Sequence, residues 1–315
     1  MSDTLTRIKH AVISALPKAK KTTLWLLKII IPISFAVSIL HYLGVIDVLA
    51  HYLSPVFSVV GLPGEAAIVF ITSIFLSLYA PIAIIATLPL DARDITILAV
   101  MCLIAHNMIV ETAVQGKTGS SYWKMFLIRI VSAFVAAYFL NLLLPKNIEA
   151  AGLVGKSPVF DSLWAMLSDW GTNTLWLVVK VLLIITGLMI LQEILKEFRI
   201  LDIISKSLSP LMTAMGLPKS TSFLWFVAHV LGLTYGSAVM IDSFENNELN
   251  REDADLLNHH IAVNHSTLED TLLFAAIGVP VLWIVIPRFV LAIIIVWFVR
   301  FLQYASLKNR RLSSN

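Results

Sequence analysis

Leu53-Ser54-Pro55 followed by Gly61-Leu62-Pro63 returns, in the same order and spacing, as Leu208-Ser209-Pro210 followed by Gly216-Leu217-Pro218. The matches continue outward. Upstream, Thr23-Leu24-Trp25 and Lys28 recur as Thr174-Leu175-Trp176 and Lys180. Downstream, His106-Asn107 and Glu111 recur, with the pair reversed, as Asn264-His265 and Glu269. Any one match is within reach of chance, but an ordered set of them marks a duplication. The chain therefore divides into a basic arm at 1–22, a first repeat at 23–145, a linker with an amphipathic helix at 146–173, a second repeat at 174–305 and a basic tail at 306–315.

Composition states what the repeats are made of. Of 315 residues, 58% are hydrophobic and 14% charged, against about 45–50% and 25% in soluble domains. Mean hydropathy is +0.86. A disordered chain, a nucleic-acid binder and an ordinary soluble enzyme are excluded, and the formal net charge of +3 requires no basic docking surface. One cysteine, Cys102, excludes a disulfide framework or a cysteine metal cluster. A membrane span needs roughly 20 apolar residues. The apolar runs are Leu24–Leu43, Ala66–Leu88, Ile95–Val114, Met125–Leu144, Leu175–Leu195, Thr221–Ile241, Leu256–Ile277 and Val281–Phe301. Val45–Val60, Leu201–Met215 and Ser157–Trp170 mix polar and apolar residues, as surface-lying helices do.

Four full crossings per half would make the halves parallel and put Lys117, Lys124, Lys196, Arg199, Lys206 and Lys219 outside, against the positive-inside tendency. If Ala66–Leu88 and Thr221–Ile241 are instead re-entrant hairpins, each half crosses three times, the second half is inverted, and all six face the cytoplasm. Arg93, Lys146 and Lys156 then remain outside. Breaks are expected at Ser77-Leu78-Tyr79-Ala80-Pro81 and Gly232-Leu233-Thr234-Tyr235-Gly236, where Pro81 and Gly236 align and both can interrupt a helix. The fold class expected is an all-α integral membrane protein. It is expected to have two inverted repeats, each with about three full spans, a re-entrant broken-helix hairpin and an interfacial amphipathic helix. Both basic termini are expected in the cytoplasm of a multi-pass protein of the bacterial inner membrane.

Ionisable groups inside apolar runs are costly and mark function. Ile95–Val114 holds His106, Asn107 and Glu111, and Leu256–Ile277 holds Asn264, His265, Ser266, Glu269 and Asp270. Asn107 and Glu111 are four apart and share a helix face, as do His265 and Glu269. A substrate site is expected from His106, Asn107, Glu111, Asn264, His265, Ser266 and Glu269, with Ser77, Tyr79, Thr234 and Ser237 at the hairpin tips. His106, Glu111, His265 and Glu269 are the candidates for a metal ion. The bland alternative is that the same groups only bond the halves together. Lys28, Lys180, Arg129 and Arg288 lie near span ends and are expected to snorkel. His259-His260 is expected at the interface, and acidic Asp242–Asp255 as a solvated loop. Gly116-Lys117-Thr118 lacks the earlier glycine of a phosphate loop, and no H-E-x-x-H or G-x-S-x-G occurs. No nucleophile is paired with His265, so the chain reads as a non-enzyme.

Gly61-Leu62-Pro63-Gly64-Glu65, Tyr79-Ala80-Pro81, Ala86-Thr87 and Asp91-Ala92-Arg93-Asp94 resemble the nucleoside-recognition or gate-domain family. Gly216-Leu217-Pro218, Thr234-Tyr235-Gly236-Ser237 and Asn264-His265-Ser266 supply the second copy. That family is similar to the gates of bacterial ferrous-iron transporters, to spore maturation membrane proteins and to concentrative nucleoside transporters. The resemblance implies a permease moving a small polar or ionic solute by alternating access. Its alternatives are a divalent-metal, iron-type permease and a non-transporting membrane partner. Iron-transporter gates carry a cysteine where this chain has Leu78, and no GTP-binding motif is present in the sequence. The partners implied are the solute and the lipid bilayer, with no nucleic acid, and the resemblance is compatible with a homo-oligomer. No cofactor is expected. The coupling ion, proton or sodium, is left open.

Overall fold

The computed structural model describes residues 2–146, 148, 161–198, 200, 204 and 207–313. Among these the chain is helical and has no strand. The first half contains α1 (Ser2–Tyr42), α2 (Val45–Ser58), α3 (Ala66–Phe75), α4 (Tyr79–Ile85), α5 (Ala92–Ala105), α6 (Met108–Lys117) and α7 (Tyr122–Leu143). The second contains α8 (Leu163–Glu197), α9 (Ser209–Ala214), α10 (Ser222–Val230), α11 (Gly232–Glu245), α12 (Arg251–Val263), α13 (Thr267–Ala276) and α14 (Val281–Ser313). The element order is the same in both: a long helix, a short one, a broken hairpin, a second broken pair and a closing span.

Five helical stretches among the described residues are long and apolar enough to cross a membrane: Thr4–Tyr42, Ala92–Lys117, Tyr122–Leu143, Leu163–Glu197 and Val281–Ala305. Burial ranks them. In Ala92–Lys117, 72% of the most apolar stretch is buried in protein, against 22–33% in the other four. The α5–α6 segment is thus the central one. Large apolar side chains on the outer helices, such as Trp123, Leu127 and Val131 on α7, point outward, as suits a lipid solvent. Each half's central helix also lies against the other half's closing span, α5 on α14 and α12 on α7.

The longest packing seam joins α1 to α8. Arg7 meets Glu197 at 2.8 Å and Lys18 meets Glu193 at 2.8 Å at one end. At the other end Phe35 packs edge-on to Trp170 with centroids 5.0 Å apart. These two corresponding helices therefore run antiparallel. The 41 residues of α1 span about 60 Å at 1.5 Å per residue, twice the roughly 30 Å hydrocarbon thickness. The basic arm is thus a helical continuation of the first span.

The repeated glycines are explained by close approach. Gly61 and Gly216 have φ +74° and +76° at the turns after α2 and α9, a region that glycine enters without a Cβ penalty. A Cβ on Gly64 would overlap the Ala50 carbonyl of α2.

Several expectations are corrected. Ile95–Val114 and Leu256–Ile277 are not continuous helices: the first breaks at His106–Asn107 and the second at Asn264–Ser266. In the hairpins the breaks fall at Leu76–Leu78 and at Leu231. Pro81 sits in the first turn of α4, where a missing N–H costs nothing, and Gly236 lies inside α11. There a Cβ would come within 3.2 Å of Ala228 Cα, so Gly236 lets α10 and α11 pack closely instead of breaking either. The surface helix expected to end at Trp170 runs on without a break as the start of α8, because Trp170 is tied to α1 through Nε1 to Ser34 Oγ at 3.1 Å. Residues 157–160 of that segment, and 201–203 and 205–206 of the second surface helix, lie outside the described residues, as do Lys156, Arg199 and Lys206. Asp242–Asp255 is helical at both ends, with Asn250 capping α12 by accepting from Asp253 N at 2.8 Å. His259 and His260 are fully buried.

Candidate functional site

Non-helical backbone in a membrane must satisfy its polar groups inside the protein. The two broken pairs do so in the same way. At the first break Asn107 is left-handed, with φ +45°, and its N–H donates to Ser73 O (2.8 Å) and Leu76 O (3.0 Å) at the end of α3. At the second, Ser266 has φ +46° and its N–H donates to Ala228 O (2.9 Å) in α10. The carbonyl before each left-handed residue accepts from a buried arginine: Arg129 Nη2 to His106 O, and Arg288 Nη2 to His265 O, both 2.6 Å. Each break thus stitches its half's hairpin, broken helix and closing span at one point.

This pairing corrects the register read from the sequence. His106 corresponds to His265, Asn107 to Ser266, Glu111 to Asp270 and Arg129 to Arg288. The pair is not reversed, and Glu269 is not the partner of Glu111. Arg129 and Arg288 do not snorkel: both are fully buried. They, with Asp270, are the residues that the sequence reading left out of the site. The signal was available, since His106, Glu111 and Arg129 have the same spacing as His265, Asp270 and Arg288.

Side chains converge from both halves. Glu111 Oε1 lies 3.2 Å from His106 Nε2, and Oε2 lies 3.2 Å from His265 Nε2 and 2.6 Å from Arg129 Nη2. Arg129 Nε also donates to Ile104 O at 2.8 Å. The two imidazole centroids are 5.0 Å apart. Asp270 Oδ2, one methylene shorter in reach, stops 3.8 Å from His106 Nε2 and has no hydrogen bond. Glu269 turns elsewhere and accepts from Tyr79 Oη at 2.9 Å. The shared helix faces expected for Asn107 with Glu111 and for His265 with Glu269 do not exist, because Asn107 and His265 lie in the breaks.

A cavity of about 590 Å³ reaches this cluster. Its mouth is formed by Lys18, Lys21 and Trp25 of α1, and its floor by His106, Glu111, Glu269 and Asp270. Ser77, Tyr79, Asn107 and Ser266 line it, with both hairpin breaks, Leu78 and Leu231–Gly232, at its wall. The structure therefore gathers eight of the sequence-derived residues here: seven line the cavity and His265 joins them through Glu111. Asn264 stands apart: it is fully buried, and its Oδ1 accepts from Thr267 Oγ1 at 3.3 Å. Ser237 is half-buried on α11 and does not line the cavity. The Thr234 and Tyr235 side chains lie outside the described residues. His229 is buried and stacks on Trp225 with centroids 4.0 Å apart.

A family model described as Gate, nucleoside recognition, matches residues 23–120. The chain is also similar to the "Uncharacterized membrane protein YvoD" of Bacillus subtilis (strain 168), at 33% identity over 291 residues, covering 91% of this chain and 93% of that protein. No solved structure matches. A gate-domain match in the first half and a nearly full-length likeness to a membrane protein agree with the broken helices described above: the chain belongs to the nucleoside-recognition (Gate) family of membrane proteins.

Proposed function

We propose that this protein is a permease that moves a small polar or ionic solute across the bacterial inner membrane by alternating access. The observation that carries this reading is the paired breaks meeting at a buried cluster that a cavity reaches. Discontinuous helices at the interface of two repeats are where transporters hold their cargo. The antiparallel run of α1 and α8, which head the two halves, supports an inverted pair. The short apolar α3, ten residues long, supports a re-entrant hairpin, since it falls short of the roughly 20 residues a crossing needs. Exposed Lys18 and Lys21 beside the cavity support a cytoplasmic opening with both termini on that side, by the positive-inside tendency. The match to a nucleoside-recognition model keeps a nucleoside-like solute among the substrates, beside small ions.

The test is uptake by purified protein in proteoliposomes, with radiolabelled nucleosides, nucleobases and divalent cations offered separately. One class is expected to accumulate, and Glu111→Gln to abolish that flux. A folded protein that moves none of them, with Glu111→Gln only melting lower, would overturn the reading in favour of a non-transporting membrane partner.

A further inference from the structure

The two histidines of the site face a problem that their own protons do not solve. His106 Nδ1 lies 3.2 Å from Cys102 O and His265 Nδ1 lies 2.7 Å from Ile261 O. A carbonyl only accepts, so each Nδ1 carries the proton and each neutral ring presents a lone pair at Nε2. Both Nε2 atoms point at Glu111, one to each carboxylate oxygen, at 3.2 Å. Lone pair then faces carboxylate twice among side chains that are nearly fully buried. Asp270 Oδ2 adds a third acceptor without a donor.

A cation between these atoms removes the conflict. Protonating both rings would put two imidazolium ions side by side next to Arg129 and Arg288, a crowd of like charge in low dielectric. One shared divalent ion serves both rings at once. One ring nitrogen each of His106 and His265 and a carboxylate oxygen of Asp270 already lie within 4.8 Å of one another, with His106 Nε2 at 3.8 Å from Asp270 Oδ2. Closing onto an ion with bonds of about 2.1 Å requires them to draw in by roughly 1 Å. The Nδ1–H bonds to carbonyls are the outer support that metal-binding histidines use to fix tautomer and ring plane.

We infer that His106, His265 and Asp270, with Glu111 beside them, bind a divalent first-row transition-metal ion. Two imidazoles and a carboxylate suit that class, whereas calcium and magnesium prefer oxygen alone. The inference rests on the permease reading only in making the ion the cargo, and the ion enters through the cavity that His106 and Asp270 line.

The probe is Co²⁺, titrated into metal-stripped full-length protein in detergent and followed by its visible d–d absorption, with thermal melts confirming that each variant is folded. A single saturable Co²⁺ per chain is expected. Asp270→Asn should weaken it by about tenfold or more, His265→Gln should abolish the band, and His51→Gln, at an exposed position, should leave it unchanged. No saturable band in folded protein, or a band equal in His265→Gln, would overturn the site. Proteoliposome uptake of Co²⁺ separates the two claims. Binding without flux keeps the metal site and removes the permease reading for metals, whereas flux of an organic solute by a protein that binds no Co²⁺ removes the metal site and keeps the permease.

Discussion

At the scale of single residues, Arg129 and Arg288 hold corresponding positions but carry different loads. Arg129 donates to Ile104 O and His106 O and pairs with Glu111 at 2.6 Å. Arg288 donates to His265 O, while its Nε and Nη1 have no hydrogen-bond partner. Removing one member of a buried ion pair costs about 3–5 kcal/mol, because the other charge is left uncompensated. Arg129→Met is therefore expected to destabilise by about that amount. Arg288→Met strips a carbonyl of its donor and should cost about 1–3 kcal/mol. Denaturant unfolding of both variants in detergent measures the gap, and equal losses would contradict it. The histidines and Glu111 were legible in the sequence because ionisable groups stand out in apolar runs. The arginines were missed, although their matched spacing was there to be read. Their positions near span ends suited snorkelling, and only the broken backbone creates the buried carbonyls they serve.

At the scale of elements, the breaks at His106–Asn107 and Asn264–Ser266 carry neither glycine nor proline. Local propensity reads through them, so the continuous spans expected from composition were the natural reading. What ends α5 and α12 is tertiary: an arginine 23 residues downstream takes each carbonyl, and a hairpin carbonyl takes each amide. The converse error came from Pro81 and Gly236, residues that punctuate helices in general and here do not. Gly236 yields a prediction of its own. With Ala228 Cα at 3.2 Å from a Cβ placed there, Gly236→Val must push α10 away from α11, at about 1–3 kcal/mol for overpacking. Because Leu231 and Gly232, between these helices, form part of the cavity wall, the variant should also lose ligand-dependent stabilisation in thermal melts. A variant with unchanged melting would show that the contact is slack.

At the scale of the molecule, the duplication was the most legible feature, because turn glycines and prolines are fixed by backbone geometry and survive as ordered motifs. Register across the repeat was less legible: Asn264-His265 imitates His106-Asn107 closely enough to hide the true pairing of His106 with His265. The two halves meet unequally, since Glu111 reaches across to both rings while Asp270 falls short. The cavity opens past Lys18 and Lys21 of α1, so access to the site should be one-sided in this conformation. Cys102, the natural cysteine, is fully buried and leaves an introduced thiol as the reactive one. Ser77→Cys lines the cavity and should react with a membrane-impermeant maleimide from the side of the α1 N-terminus and resist it from the other. If the halves exchange roles during transport, a bound solute that favours the opposite-facing state must slow this labelling, because a ligand shifts a conformational equilibrium only through its differential affinity for the two states. Equal labelling from both sides would mean a continuous pore, and alternating access would then fall with it.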